Sequence, residues 1–141
     1  MKLLSRVCAS LLDPASIRYE ELGGVRHLVA PITPLVEGVL TAGNVGVPEL
    51  ALASEFGRNL PMWNGRPITL GHPERHGVPI SAGDPSVMDT QVIGMFFNAS
   101  LDSDRIRGEM WINLDLVKNI GERAQAQVDR ILAGDDEMEV S

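Results

Sequence analysis

Three side chains in this chain of 141 residues have types and positions that could do chemistry: His72, His76 and Ser141. His72 stands in a Gly-His-Pro corner just past the short apolar run Ile68-Thr69-Leu70. Pro73 disfavours helical backbone at His72, and Gly71 gives freedom on its other side. An imidazole fixed at a strand end is the arrangement general acid–base work wants, because it titrates near neutral pH. Taken locally, the plainer alternative, a loop histidine with no task, is the favoured one. Ser141 alone is a terminal polar residue. With a histidine in reach it becomes a nucleophile candidate, since a serine and its base can be remote in sequence.

His72 and His76 also have a His-x-x-x-His spacing, which on a helix would put both on one face. Gly71, Pro73 and Gly77 argue against a helix there, and neither a paired cysteine nor a His-Glu-x-x-His pattern accompanies them. A zinc site is therefore disfavoured. His27 lies among apolar neighbours in a strand pattern and reads as a satisfied structural histidine. Glu109 and Asp115 could orient a histidine, although such carboxylates are usually only solvated. The glycines of "GVLTAGNVG" match neither a P-loop nor a dinucleotide fingerprint, and no Gly-x-Ser-x-Gly elbow occurs.

The elements that must carry these residues are uneven in clarity. "VRHLVAPI", Val25 to Ile32, predicts a strand, bounded by Gly23-Gly24 and prolines. "VPELALASEF" predicts a short helix ended by Gly57. "GRPITLGHP" predicts a brief strand running into the His72 corner, with Pro67 at its start. The stretch from Pro73 to Asp89, rich in Pro, Gly, Ser and Asp, predicts a loop. "TQVIGMFFNASL" and "RIRGEMWINL", joined by "DSD", predict an antiparallel hairpin, with Ile106, Met110 and Ile112 on one face of its second strand. Val117, Ile120, Ala124, Val128 and Ile131 form one apolar stripe of a helix that Gly121 weakens and Gly134 ends. "EMEVS" predicts the beginning of a further strand.

Length allows one domain with one core. A net charge of -7 argues against binding nucleic-acid phosphates. A single cysteine, Cys8, precludes an internal disulfide and fits a reducing interior. The start "MKLLSRVCASLLDP" has no unbroken apolar segment, and nothing approaches the ~20 apolar residues of a bilayer span. The expectation is a soluble cytoplasmic protein without a membrane partner.

The ordered set "WNGRPITLGHP", "GVPISAGDP", "VIGMFFNASLDSDRIRGEMWINL" and "EMEVS" resembles the tailed-phage DUF2213 family, encoded among head-morphogenesis genes. That family is similar to the phage prohead maturation serine proteases, which share a fold with the herpesvirus assemblin protease. The resemblance covers about Val25 to Ser141, and Trp-Asn-Gly and Gly-His-Pro are its specific pieces.

It implies an α+β fold with a mostly antiparallel, β-barrel-like core flanked by helices. Residues 1–24 would be an N-terminal arm and 25–141 the protease-like domain, incomplete at its C-terminal end. It further implies a serine endopeptidase, without cofactor or metal, that cleaves scaffold and major capsid proteins inside the prohead in the host cytoplasm. His72 matches the general base of such proteases. Ser141, in Glu-Val-Ser, matches the strand bearing the nucleophile, which in the family usually runs on into Thr-Gly. The third triad member and part of the oxyanion hole are expected beyond Ser141. Two alternatives stand beside this: a non-catalytic head scaffold or assembly protein of the same fold, capable of self-association, and a metal-dependent hydrolase using His72, His76 and a carboxylate such as Asp84.

Overall fold

Gly23 and Gly24 both take positive φ, 61° and 77°. A type I′ hairpin turn demands that backbone, and it folds residues 18–22 back onto the long apolar run that begins at Val25. The computed structural model describes residues 3–4, 8–11, 14–40, 49–70, 74–81, 84–134 and 138–139.

The strands are β1 (Leu3–Leu4), β2 (Cys8–Leu11), β3 (Arg18–Leu22), β4 (Val25–Val36), β5 (Gly38–Leu40), β6 (Glu49–Ala51), β7 (Arg66–Thr69), β8 (Glu74–Arg75), β9 (Val78–Pro79), β10 (Val92–Asp102), β11 (Arg105–Asn113) and β12 (Met138–Glu139). The helices are α1 (Ala53–Phe56), α2 (Pro85–Thr90), α3 (Leu114–Ile120) and α4 (Glu122–Leu132). The main sheet runs β12-β2-β4-β11-β10-β7, with β3 also on β4, and its pairings are antiparallel. Beside it lie a small sheet, β1-β5-β6, and the two-residue ladder of β8 with β9. The fold is thus α+β with a mostly antiparallel sheet. Among the described residues the main sheet is open, with β12 and β7 as its two ends.

β4 and β11 form the spine. β11 occupies one flank of β4; on the other, β3 pairs along Val25–Val29 and β2 at Ile32 and Thr33. Pro34 falls inside a register shift, where Ile106 faces Leu35 but Gly108 faces Ile32. A bulge is one of the few places where a strand accepts proline.

Leu28, Ala30, Ile32, Ile68, Ile93, Phe96, Ile106, Met110 and Ile112 make the sheet's core surface. Val117, Ala124, Val128 and Ile131 of α3 and α4 pack on it, which completes two layers. Each fully buried large aliphatic contributes about 1.5–3 kcal/mol relative to exposure. α3 starts where β11 stops because Asn113 Oδ1 accepts from the amides of Asp115 (3.0 Å) and Leu116 (3.1 Å). Gly121, at φ 101° and ψ -147°, separates α3 from α4. Only glycine reaches that backbone without strain, so one apolar stripe is carried by two helices.

Three segments differ from their sequence expectations. Of the stretch expected to be a short helix, Glu49–Ala51 pairs with β5 as a strand and only Ala53–Phe56 is helical. A helix that short is not stable alone, so pairing with a neighbour decides. The residues expected as an N-terminal arm contribute β2 and β3 to the main sheet. The expected loop after Pro73 contains β8, β9 and α2, which Asp84 caps and Pro85 opens.

Candidate functional site

Trp63-Asn-Gly65 leads the chain into β7, and its three residues act together as a clasp. Trp63 Nε1 donates to the Phe56 carbonyl at 3.2 Å. Its ring meets Phe96 edge-on, centroids 6.4 Å apart. The Asn64 side-chain carbonyl accepts from the Ala99 amide at 3.0 Å. That amide belongs to a bulge in β10, where the register against β11 shifts between Phe97 and Ser100 and Asn98 has φ 58°. The Gly65 amide donates to the Phe96 carbonyl at 2.7 Å. Trp63-Asn64-Gly65 therefore has a structural job, which is to fix where β7 begins.

β7 runs along β10 and ends at buried Thr69, with buried Leu70 directly after it. Leu70 is held from both sides. Its amide donates to the Gln91 carbonyl at 2.9 Å. Its carbonyl accepts from Arg123 Nη2, on the first turn of α4, at 3.3 Å. His72 itself lies outside the described residues, two positions further on.

Beyond the corner, β8 and β9 form a small hairpin that turns at His76, exposed and at φ 52°. Arg75 Nη2 ties it to the start of α2, reaching Asp84 Oδ1 at 3.2 Å and Ser86 Oγ at 2.8 Å. The same Asp84 oxygen accepts from the Ser86 amide (2.9 Å) and hydroxyl (2.6 Å). The Ser86 hydroxyl and amide, and then Arg75, hold the Asp84 carboxyl below its ordinary value. The carboxylate that a metal site would recruit is engaged in capping a helix. Among the described residues no group of three or more His, Cys, Asp and Glu could hold a metal ion.

Ser141 also lies outside the described residues. The nearest described strand, β12, pairs with β2 at one end of the main sheet, whereas β7 lies at the other end. Four strands, β2, β4, β11 and β10, stand between them. Five strand spacings on a flat sheet come to about 24 Å. The strand order thus sets the approaches to His72 and Ser141 on opposite edges, and only curvature of the sheet can bring such edges together.

The remaining titratable candidates are occupied elsewhere. His27 is buried, its Nδ1 lies 2.9 Å from the Val25 carbonyl, and its ring is 5.9 Å from Trp111. That is a structural histidine. Glu109 is half-buried on the sheet face that carries Trp111, and it accepts from Arg18 (2.6 Å), Asn98 (2.5 Å) and Trp111 Nε1 (3.4 Å). Burial pushes its carboxyl up, but the bonds from Arg18 and Asn98 outweigh that and leave it below the usual value. Asp115 is exposed in the first turn of α3.

Sequence inspection missed Arg18, Asn98 and Arg123 as partners. Arg18 is 91 residues from Glu109 and sits in a segment without a periodic pattern. The Asp-Pro-Ser start of α2 did carry a readable signal, an N-cap followed by proline at the first helical position.

No helix among the described residues is long and apolar enough to cross a membrane. Comparison with family models, curated proteins and solved structures returns no match for this chain.

Proposed function

We propose that this chain carries the base and nucleophile of a phage head maturation serine protease, with His72 as general base and Ser141 as nucleophile. His72 would take the hydroxyl proton as Ser141 attacks a scaffold or coat-protein peptide carbonyl, and would pass it to the amine that leaves as the C–N bond breaks. Water, activated by the same base, would then hydrolyse the acyl-enzyme ester and restore the serine hydroxyl. The observation that carries this reading is the anchoring of Leu70. A general base needs a fixed mount, and the last described residue before the corner is buried and bonded through both its amide and its carbonyl.

The reading requires the sheet to roll toward a barrel so that its edges meet. Three register shifts support this: one in β4 against β11, and two in β10, near Ile93 and at Asn98. Bulges of this kind bend a strand and increase its twist, and barrels use them to turn their corners.

The test is processing of the cognate scaffold protein by the complete gene product. His72→Ala and Ser141→Ala are each expected to abolish cleavage while leaving the fold intact. Retained cleavage in either variant removes that residue from the mechanism. The second reading, a head scaffold or assembly protein of the same fold without proteolysis, is favoured by one observation, the position of β7 and β12 at opposite ends of the sheet order. It predicts no processing by the wild type, and assembly that is indifferent to both substitutions.

A further inference from the structure

We propose that Asn64–Gly65 is a modification site held shut by the fold, a deamidation centre that reacts only when the entry to β7 opens. The inference stands apart from the protease reading. This pair is the single Asn-Gly in the chain. Asparagine before glycine is where a main chain most readily attacks a side chain, because a residue without Cβ leaves its nitrogen unhindered. A base in the solvent takes the Gly65 amide proton, and the nitrogen attacks Asn64 Cγ. The N–Cγ bond forms, the Cγ–Nδ2 bond breaks, and ammonia leaves a five-membered imide behind. Water then opens the imide. Addition at Cγ gives aspartate; addition at the Asn64 main-chain carbonyl gives isoaspartate, with one more carbon in the main chain.

Lack of access does not protect the pair. Both residues are exposed, and beyond its chain neighbours no atom stands within 4 Å of where a Cβ on Gly65 would lie. Geometry protects it, at each reacting group. The nucleophile's proton is engaged, since the Gly65 amide donates to the Phe96 carbonyl at 2.7 Å. The electrophile is tethered, since the Asn64 side-chain oxygen accepts from the Ala99 amide at 3.0 Å. Ring closure also needs the Gly65 nitrogen nearly eclipsed with Cβ about the Asn64 Cα–C bond. The extended backbone at Asn64, φ -70° and ψ 137°, holds them apart. The Ala99 amide polarises Cγ as well, but polarisation is without effect while the nitrogen is turned away. Attack therefore waits for a local opening that releases both hydrogen bonds. Aspartate would keep an acceptor for Ala99. Isoaspartate would lengthen the chain after Trp63, which is anchored on the Phe56 carbonyl, and the Gly65 amide would lose its register with Phe96.

The test ages the chain in mildly alkaline buffer, folded and in guanidinium chloride, and follows each asparagine by mass spectrometry of the digest. The unfolded chain should deamidate at Asn64 before its other asparagines. The folded chain should do so roughly 25-fold more slowly, each of the two hydrogen bonds being worth about fivefold. That suppression should match the protection of the Gly65 amide against hydrogen exchange, because one opening exposes both. Trp63→Phe keeps a ring against Phe96 and drops the bond to the Phe56 carbonyl, so it should speed deamidation and Gly65 exchange by the same factor. Equal deamidation of the folded and unfolded chains would overturn the proposal, as would suppressed deamidation beside an unprotected Gly65 amide. A Trp63→Phe chain in which one rate changes without the other would overturn it too; should that variant not fold, the wild-type comparison decides alone.

Discussion

Gly94 lies within the β7–β10 pairing and Gly65 just before it, and exchanging each for alanine separates two ways a glycine can be required. Gly94 lies in β10 opposite Ile112. A Cβ built on it would fall 2.1 Å from the Trp111 carbonyl oxygen and 2.9 Å from both Ile112 Cα and the Trp111 carbonyl carbon. The first distance is about 1.3 Å short of ordinary contact. All three atoms are backbone, so no side chain can swing aside, and β10 must lift off β11 where both strands bury their core residues. Overpacking against an immovable wall places the cost of Gly94→Ala at roughly 3–5 kcal/mol.

Gly65 is the opposite case. Its Cβ would meet nothing within 4 Å, but its φ is +80°. Gly65→Ala should then cost only the left-handed backbone strain, about 1–2 kcal/mol. Urea or thermal unfolding followed by circular dichroism checks both, and Gly94→Ala should lower Tm by about 10–20 °C in a domain of this size. A Gly94→Ala variant as stable as wild type, or more stable than Gly65→Ala, would show that β10 and β11 do not approach as closely as described.

Two further expectations follow from the polar contacts. Glu109 has a folded-state pKa below its ordinary value of 4.5, so its contribution to stability is present above that pH and is lost as pH falls through the folded value. Unfolding midpoints should therefore decline on acidification below about 4.5, and Glu109→Gln should flatten that decline; an unchanged slope would remove Arg18 and Asn98 from the account. Asn64→Ala deletes the acceptor of the Ala99 amide at the β10 bulge. It should cost about 1 kcal/mol and raise Ala99 amide exchange specifically, with stability read from denaturant midpoints and exchange by NMR.

Patterned, local features were legible from residue order. The β10–β11 hairpin forms about the "DSD" turn, with Ile106, Met110 and Ile112 buried as their alternation predicts. Of the stripe Val117, Ile120, Ala124, Val128 and Ile131, all but the partly buried Ile120 are buried as the spacing predicts. The Gly23-Gly24 pair marks a real turn, although the partner strand β3 on its other side was not foreseen. β3 is exposed along its whole length, so it carries no alternation to detect. Glu49–Ala51 went to a strand because β5 happened to lie beside it, an outcome no local propensity encodes.

At the candidate site the division is sharper. Residue order alone put His72 between a glycine and a proline behind a short apolar run, where covalent chemistry restricts the backbone expected before a proline whatever surrounds it. Tertiary structure alone decided that the run ends in a Leu70 gripped by Gln91 and Arg123, and that Glu109 belongs to Arg18 and Asn98. It also set β7 and β12 at the two ends of one sheet. The physical reason is range. Turn and helix signals act over a few residues, whereas a hydrogen bond between side chains 91 residues apart depends on which strands pair, and strand pairing is settled by burial of the whole core.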